Sequence, residues 1–191
     1  MKKILKSFSS FFLDVAETLT IGASFFLIVY LFFMQPHQVN GRSMHPTFSS
    51  GDYVLTNKVS YRVGNPKMGD VIVFHAPPEA GCPTGTGCDF IKRILAVPGD
   101  TVAVHDNGVY VNGEKVNEPY IPDDFKTIPG KFINGRTVTM GPDEYFAMGD
   151  NREYSSDSRV WGPVTKTEIV GKAFFRYWPA NQVGVIKDVQ Y

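Results

Sequence analysis

A nearly unbroken apolar run close to the N-terminus limits what this chain can fold into more than any other feature. Leu19 to Met34 is almost all apolar, and Phe11–Leu13 with Val15-Ala16 extend it toward the start. Asp14 and Glu17 interrupt the run at that end, where they would sit near a membrane interface. The stretch reaches roughly 20 residues, enough for a helix to cross a hydrocarbon core of about 30 Å. Lys2, Lys3 and Lys6 flank it on one side, and no charge comes after it until Arg42. The positive-inside rule then keeps the N-terminus in the cytoplasm and puts everything after Met34 outside. A cleaved secretory signal shares the basic start, but Phe32-Phe33-Met34-Gln35-Pro36 offers no small residues at −3 and −1. The expectation is an uncleaved, single-pass anchor over residues 1–35.

Residues 36–191 read differently. The whole chain carries 15 Phe, 9 Tyr, 18 Gly and 13 Pro, which favours a β-rich, turn-rich body. Asp52–Asn57, Val71–Phe74, Phe90–Val97, Tyr145–Met148 and Gly171–Tyr177 read as strands, with Thr137–Met140 as a shorter one. Thr101–Val104 and Val109–Val111 flank Asp106-Asn107-Gly108, a hairpin signal, and Asn112-Gly113 predicts a second tight turn. Glu118–Arg136 is rich in Pro, Asp and Gly and reads as a surface excursion. The expected fold class is mostly β: an N-terminal transmembrane helix, then an antiparallel sheet or partial barrel over 36–191. A small inserted lobe is expected at about 106–140. Lys+Arg 19 balance Asp+Glu 19, so no basic surface points to a nucleic-acid partner.

Cys82 and Cys88 bracket a loop of Gly, Pro and Thr. A disulfide, two free thiols and half a zinc site all fit two cysteines. The disulfide is preferred, because the loop can bend and the outside of a membrane is oxidising. No second Cys or His pair stands at metal-ligand spacing, so neither a metal nor a cofactor is expected.

Three segments could carry chemistry. In Gly41-Arg42-Ser43-Met44-His45-Pro46-Thr47, the glycine permits unusual dihedrals just before Ser43, and Pro46 stiffens the end of the turn. Such a turn can project the Ser43 hydroxyl and leave its backbone N–H for an oxyanion. In the strand Phe90–Val97, alternation puts Lys92 on one face with Phe90 and Ile94 and turns Arg93 to the other. A lysine among apolar neighbours either snorkels to water or loses solvation, and desolvation lowers its pKa toward that of a usable base. The third segment, Gly149–Gly162, is dense in Asp, Asn, Arg and Ser. Asp157 could pair with Arg159, and Asp150 with Arg93 or Arg152; the segment reads either as a polar surface loop or, given this density of polar side chains between strands, as a scaffold that orients something.

These segments, in this order behind an anchor, resemble the type I signal peptidases, membrane-bound Ser-Lys endopeptidases. Gly41–Thr47 resembles the nucleophile segment, Gly69–Phe74 the next strand, Ile91–Asp100 the lysine segment, and Gly149–Gly162 the last signature. The resemblance implies Ser43 as nucleophile and, through its N–H, as oxyanion donor, with Lys92 as general base. It implies Ser155 as the hydroxyl that orients Lys92, and Asp150, Asp157, Arg159 and Arg93 as supporting residues. Val39, Met44, Pro46, Asp89, Phe90 and Ile91 fall at substrate-binding positions. The substrate would pair as a strand with Asp89–Ile91 and place small −1 and −3 side chains in shallow apolar pockets. Double-anchor members carry a serine two before the nucleophile to complete the oxyanion hole. This chain carries Gly41, as single-anchor members do, so a second donor must come from a backbone group or water. The implied partners are preprotein signal peptides, membrane lipid and the secretion translocon. Phe174–Pro179 reads either as an interfacial aromatic patch or as a core strand. The competing functions are a specialised Ser-Lys protease that processes a conjugation or secretion component, and a membrane-anchored β module without catalysis.

Overall fold

The computed structural model describes residues 2–82, 87–187, 189 and 191, with side chains from residue 11 onward. Helix α1 spans Lys2–Phe32. Its apolar part, Phe11–Phe32, is 22 residues long and stays exposed, touching the body only near its end, where Lys58 Nζ donates to the Leu31 carbonyl. At 1.5 Å per residue it is about 33 Å long. The chain leaves the helix earlier than the apolar run suggests: Met34 already opens strand β1 (Met34–Gln38), paired with β2 (Tyr53–Asn57).

The body is antiparallel β throughout, in two sheets. The large sheet also contains β3 (Val71–His75), β4 (Asp89–Ala96), β9 (Glu144–Met148), β10 (Val164–Thr165) and β11 (Ile169–Trp178). Its order is β1-β2-β11-β3-β4-β9-β10, with β12 (Gly184–Val185) added beside β11. The small sheet has the order β7-β6-β5-β8, from β5 (Thr101–His105), β6 (Gly108–Val111), β7 (Glu114–Lys115) and β8 (Val138–Thr139). The first strand of the small sheet begins at Thr101. Both hairpins form, but the first turns one residue earlier than the Asn-Gly pair implies. His105 faces Gly108, and Asp106 and Asn107 hold the turn with φ of 46° and 55°. Asn112-Gly113 makes the second turn, with φ of 54° and 84° between the paired Val111 and Glu114. These are the two-residue loops whose twist matches antiparallel strands.

One apolar cluster joins the sheets: Val102, Val104, Val109 and Val111 of the small sheet pack with Leu95, Phe146 and Met148 of the large one. Residues 118–136 are more than a surface excursion. Ile133 is fully buried in that same cluster, and Thr127 is buried as well. Glu118 forms an ion pair with buried Arg152. The Pro and Gly content that suggests a loop does make one, but the loop packs inward because one large apolar side chain and one carboxylate find partners there.

Two features of the large sheet position the site. First, β9 pairs with β4 only from Arg93 onward, so among the described residues Asp89–Lys92 have a free edge on that side. Second, β1 and β4 are separated by three strands in the sheet order, yet His37 of β1 lies 3.5 Å from Asp89 of β4. The sheet curls until its first strand faces that free edge, as in a barrel left open along one seam.

Candidate active site

The seam between β1 and β4 is a cleft of about 430 Å³. Ser43 and Lys92 meet at one end, where Lys92 Nζ lies 2.8 Å from Ser43 Oγ. Period-2 alternation brings Lys92 to this point: it is paired with Ile72 across β3, and its Nζ sits 5.0 Å over the Phe90 ring. The lysine is only 3% exposed. Burial drives its pKa down to about 8, against the pull of Asp157 and Asp150. Its second hydrogen bond goes to the Ile91 carbonyl, 3.1 Å away.

The Gly41–Thr47 loop is held from behind. Gly41 adopts φ 89°, and the chain then turns so that His45 N–H donates to the Arg42 carbonyl and Phe48 N–H to that of Met44. The Ser43 carbonyl accepts from Asn151 N–H at 3.0 Å, which ties the loop to the Asp/Arg-rich segment. Among the described residues, no hydrogen bond engages the Ser43 N–H, which leaves it open to an oxyanion. Thr47 Oγ1 donates to Asp150 Oδ2 at 2.5 Å. Asp150 in turn accepts both Arg93 Nε and Nη2, at 3.0 and 2.8 Å, so Arg93 rather than Arg152 is its partner. The Arg93 guanidinium also stacks 4.2 Å from the centre of the Tyr120 ring. Asp157 is fully buried and accepts Arg159 Nε and Nη2, each at 2.8 Å, together with Gly149 N–H. Burial alone would raise the Asp157 carboxyl, but the Arg159 bonds and charge hold it below the usual range.

Several placements differ from the implied ones. Among the described residues Ser155 makes no hydrogen bond to Lys92; its buried Oγ acts on Asp157 instead, helping to hold that carboxyl low. The side chain is pressed against Gly149, where any Cβ would collide with both Ser155 and the Ser43 carbonyl. Val39, Asp89, Phe90 and Ile91 line the cleft, but Met44 and Pro46 do not. The turn after Ser43 sends Met44 into a core with Val39, Phe48 and Val73, and leaves Pro46 exposed. Cys82 and Cys88 are bonded to each other, with Cα atoms 6.1 Å apart. In the aromatic segment, Tyr177 and Trp178 are exposed, whereas Phe174 and Phe175 are half-buried. Sequence reasoning missed Thr47 as the partner of Asp150, Tyr120 as the lid on Arg93, and Ser158, whose hydroxyl accepts from Ala147 N–H at 3.0 Å. Only Gly149 left a readable signal, as a glycine between a strand and a charged segment.

Comparison with known proteins identifies the family. Residues 12–178 match the family described as signal peptidase, peptidase S26. Signal peptidase IB of Staphylococcus aureus (strain COL) is 34% identical over 184 residues, covering 88% of this chain and 92% of that protein. Probable signal peptidase I-2 of a Synechocystis species is 34% identical over 176 residues, covering 92% of this chain and 78% of that one. A crystal structure of a signal peptidase I from Enterococcus faecalis aligns with 26% identity and a TM-score of 0.44, over 57% of this chain and 97% of the other. The chain belongs to the signal peptidase family, peptidase S26.

Proposed function

We propose that the protein is a membrane-bound serine endopeptidase that removes signal peptides from exported preproteins by a Ser-Lys mechanism. One observation carries the reading: a buried lysine amine with a lowered pKa sits 2.8 Å from a serine hydroxyl at the mouth of a strand-shaped cleft. An amine that loses its charge as pH rises through about 8 can, once neutral, accept the Ser43 proton as Oγ attacks the scissile carbonyl. The Ser43 N–H donates to the oxygen that becomes negative. Collapse of the tetrahedral intermediate breaks the C–N bond. Lys92 returns its proton to the leaving amine, and the signal peptide stays esterified to Ser43. Water, activated by the again-neutral Lys92, then hydrolyses the ester. The Arg93–Asp150–Thr47 chain fixes the nucleophile loop, and the Asp157–Arg159 pair fixes Gly149 against it.

The free edge Asp89–Ile91 is available to hydrogen-bond an extended substrate, with residues −1 to −3 running from Ser43 toward Asp89. Helix α1 serves as the anchor, with the body on the outer face of the cytoplasmic membrane. The test uses a purified preprotein with an Ala-x-Ala site in detergent. Wild type cuts after −1, and Ser43→Ala and Lys92→Ala lose activity by several orders of magnitude. A folded wild type that does not cut, or a Lys92→Ala variant that cuts normally, defeats the mechanism.

A further inference from the structure

The walls of the cleft approach each other a second time away from Ser43 and Lys92, and that end does no work in the mechanism above. There the two walls of the seam meet through three side chains. Asp89 Oδ1 is 2.7 Å from His75 Nδ1, and Asp89 Oδ2 is 3.5 Å from His37 Nε2. His37 is 14% exposed and Asp89 29%, while His75, outside the cleft, is 66% exposed. The His37 ring is pinned through Nδ1, 2.9 Å from Thr56 Oγ1. Its other nitrogen is buried without a hydrogen-bond partner. The strands thus touch across the seam at Ser43–Lys92 and again at His37–Asp89, but only the first contact is a hydrogen bond.

The spacing says what meets the second contact. Asp89 lies three residues before Lys92 on β4, about 10 Å along an extended strand. A substrate strand with its −1 residue at Ser43 brings its fourth or fifth residue before the scissile bond to Asp89. Burial lowers the His37 pKa against the pull of Asp89, with Lys58 adding repulsion, so this imidazole leaves the carboxylate charge uncancelled at neutral pH.

We infer that Asp89, set between His37 and His75, forms a distal subsite that selects substrates with a cationic side chain at position −4 or −5 and disfavours an acidic one there. The inference rests on the peptidase reading. A lysine at that position reaches Asp89 Oδ2, whose 3.5 Å contact with His37 is the longer of the carboxylate's two, and a glutamate meets like charge. Because Asp89 is partly exposed, the discrimination is modest, about fivefold in kcat/KM between Lys and Glu, and it shrinks in high salt.

The experiment compares purified full-length protein on peptides with one Ala-x-Ala site and Lys, Gln or Glu at −4, then at −5. Because each protein's Lys-to-Glu ratio is internal, a general loss of activity in a variant leaves it readable. Wild type should give a ratio of about five, falling toward one in 0.5 M salt. Asp89→Asn should give a ratio near one, and His75→Ala, which removes the partner of Oδ1, should raise it above that of wild type. A wild-type ratio near one overturns the inference, and so does a ratio that survives Asp89→Asn. Failure to cut even the Gln peptide sinks the peptidase reading and this one with it. Normal cutting with no charge preference sinks this one alone.

Discussion

The two sheets bury different things. The small sheet contributes Val102, Val104, Val109 and Val111 to an apolar cluster. It is built from two hairpins whose turns lie in adjacent sequence. The large sheet, at the edge where β4 meets the nucleophile loop and the Gly149–Gly162 segment, buries Lys92, Arg93, Asp150, Asp157 and Arg159. An apolar core needs only patterning and volume to hold together. A buried charge costs several kcal/mol unless a partner meets it with good geometry. Four of these five charges do have such partners: Arg93 with Asp150, and Arg159 with Asp157. Among the described residues, Lys92 has no carboxylate within salt-bridge distance, only a hydroxyl and a carbonyl. The one charge of the five left without a counter-charge is the one proposed as the base.

Lys92→Met breaks that contrast most sharply. Activity should fall at least about a thousandfold, because proton transfer from Ser43 loses its acceptor. The same change should stabilise the protein at pH 7. The folded pKa of about 8 lies below the 10.5 of the unfolded chain. The unfolded state therefore binds more protons between those values, and stability rises with pH across that window. Below pH 8 the full penalty is present, on the order of 3 kcal/mol from the pKa difference, less about 2 for the two lost hydrogen bonds. Chemical denaturation of wild type and Lys92→Met at pH 7 and pH 10 measures it, and equal stability at both pH values would count against a desolvated amine. In wild type, kcat/KM should climb with pH up to about 8 and level off above. A profile flat from pH 6 to 9 removes Lys92 as the base.

Next in size is the fully paired charge. Asp150→Ala strands Arg93 in the interior and frees Thr47, and should cost about 3–5 kcal/mol. It should also lower the kcat of the fraction that stays folded, since the nucleophile loop loses its tie. Ile133→Ala, in the apolar cluster, should cost about 2–5 kcal/mol by leaving a cavity. In that case the activity per folded molecule should stay close to wild type. Denaturation paired with active-site titration separates the two: if Ile133→Ala lowers turnover as much as Asp150→Ala does, the small sheet is part of the site.

The same division decides what was legible in the sequence. Both hairpins of the small sheet announce themselves locally, through Asn-Gly and strand-like flanks, and the error at Asp106-Asn107 is one residue. Alternation alone brings Lys92 onto an apolar face, and Asp157–Arg159 is a pair two residues apart. What the sequence hides are contacts set by strand order. Thr47 meets Asp150 across 103 residues, and Arg152 meets Glu118 across 34. His37 meets Asp89 only because the sheet curls on itself. Ile133 is hidden for a related reason: Pro and Gly mark where the backbone turns, not whether a side chain between them points inward. The resemblance to a family supplied Ser43 and Lys92 as a pair, but it also implied a Ser155–Lys92 bond that this packing does not make.

The smallest effect tests how far a turn can be altered without reaching the site. Gly113 holds φ 84° at the tip of the second hairpin, and a Cβ there would meet nothing. Gly113→Ala therefore suffers backbone strain without a clash, about 1 kcal/mol, since an L-residue rarely adopts that φ. For a chain of this size that is a fall in Tm of about 2–4 °C. Gly149 has no special φ, but a Cβ there would press on Ser155 and on the Ser43 carbonyl. Gly149→Ala should therefore move the nucleophile and depress kcat, whereas Gly113→Ala leaves kcat and its pH profile unchanged. Thermal melts and pH–rate curves for the pair distinguish strain in the small sheet from displacement at the seam. If Gly113→Ala shifts the apparent pKa of the rate, the two sheets are coupled more tightly than one shared apolar cluster requires.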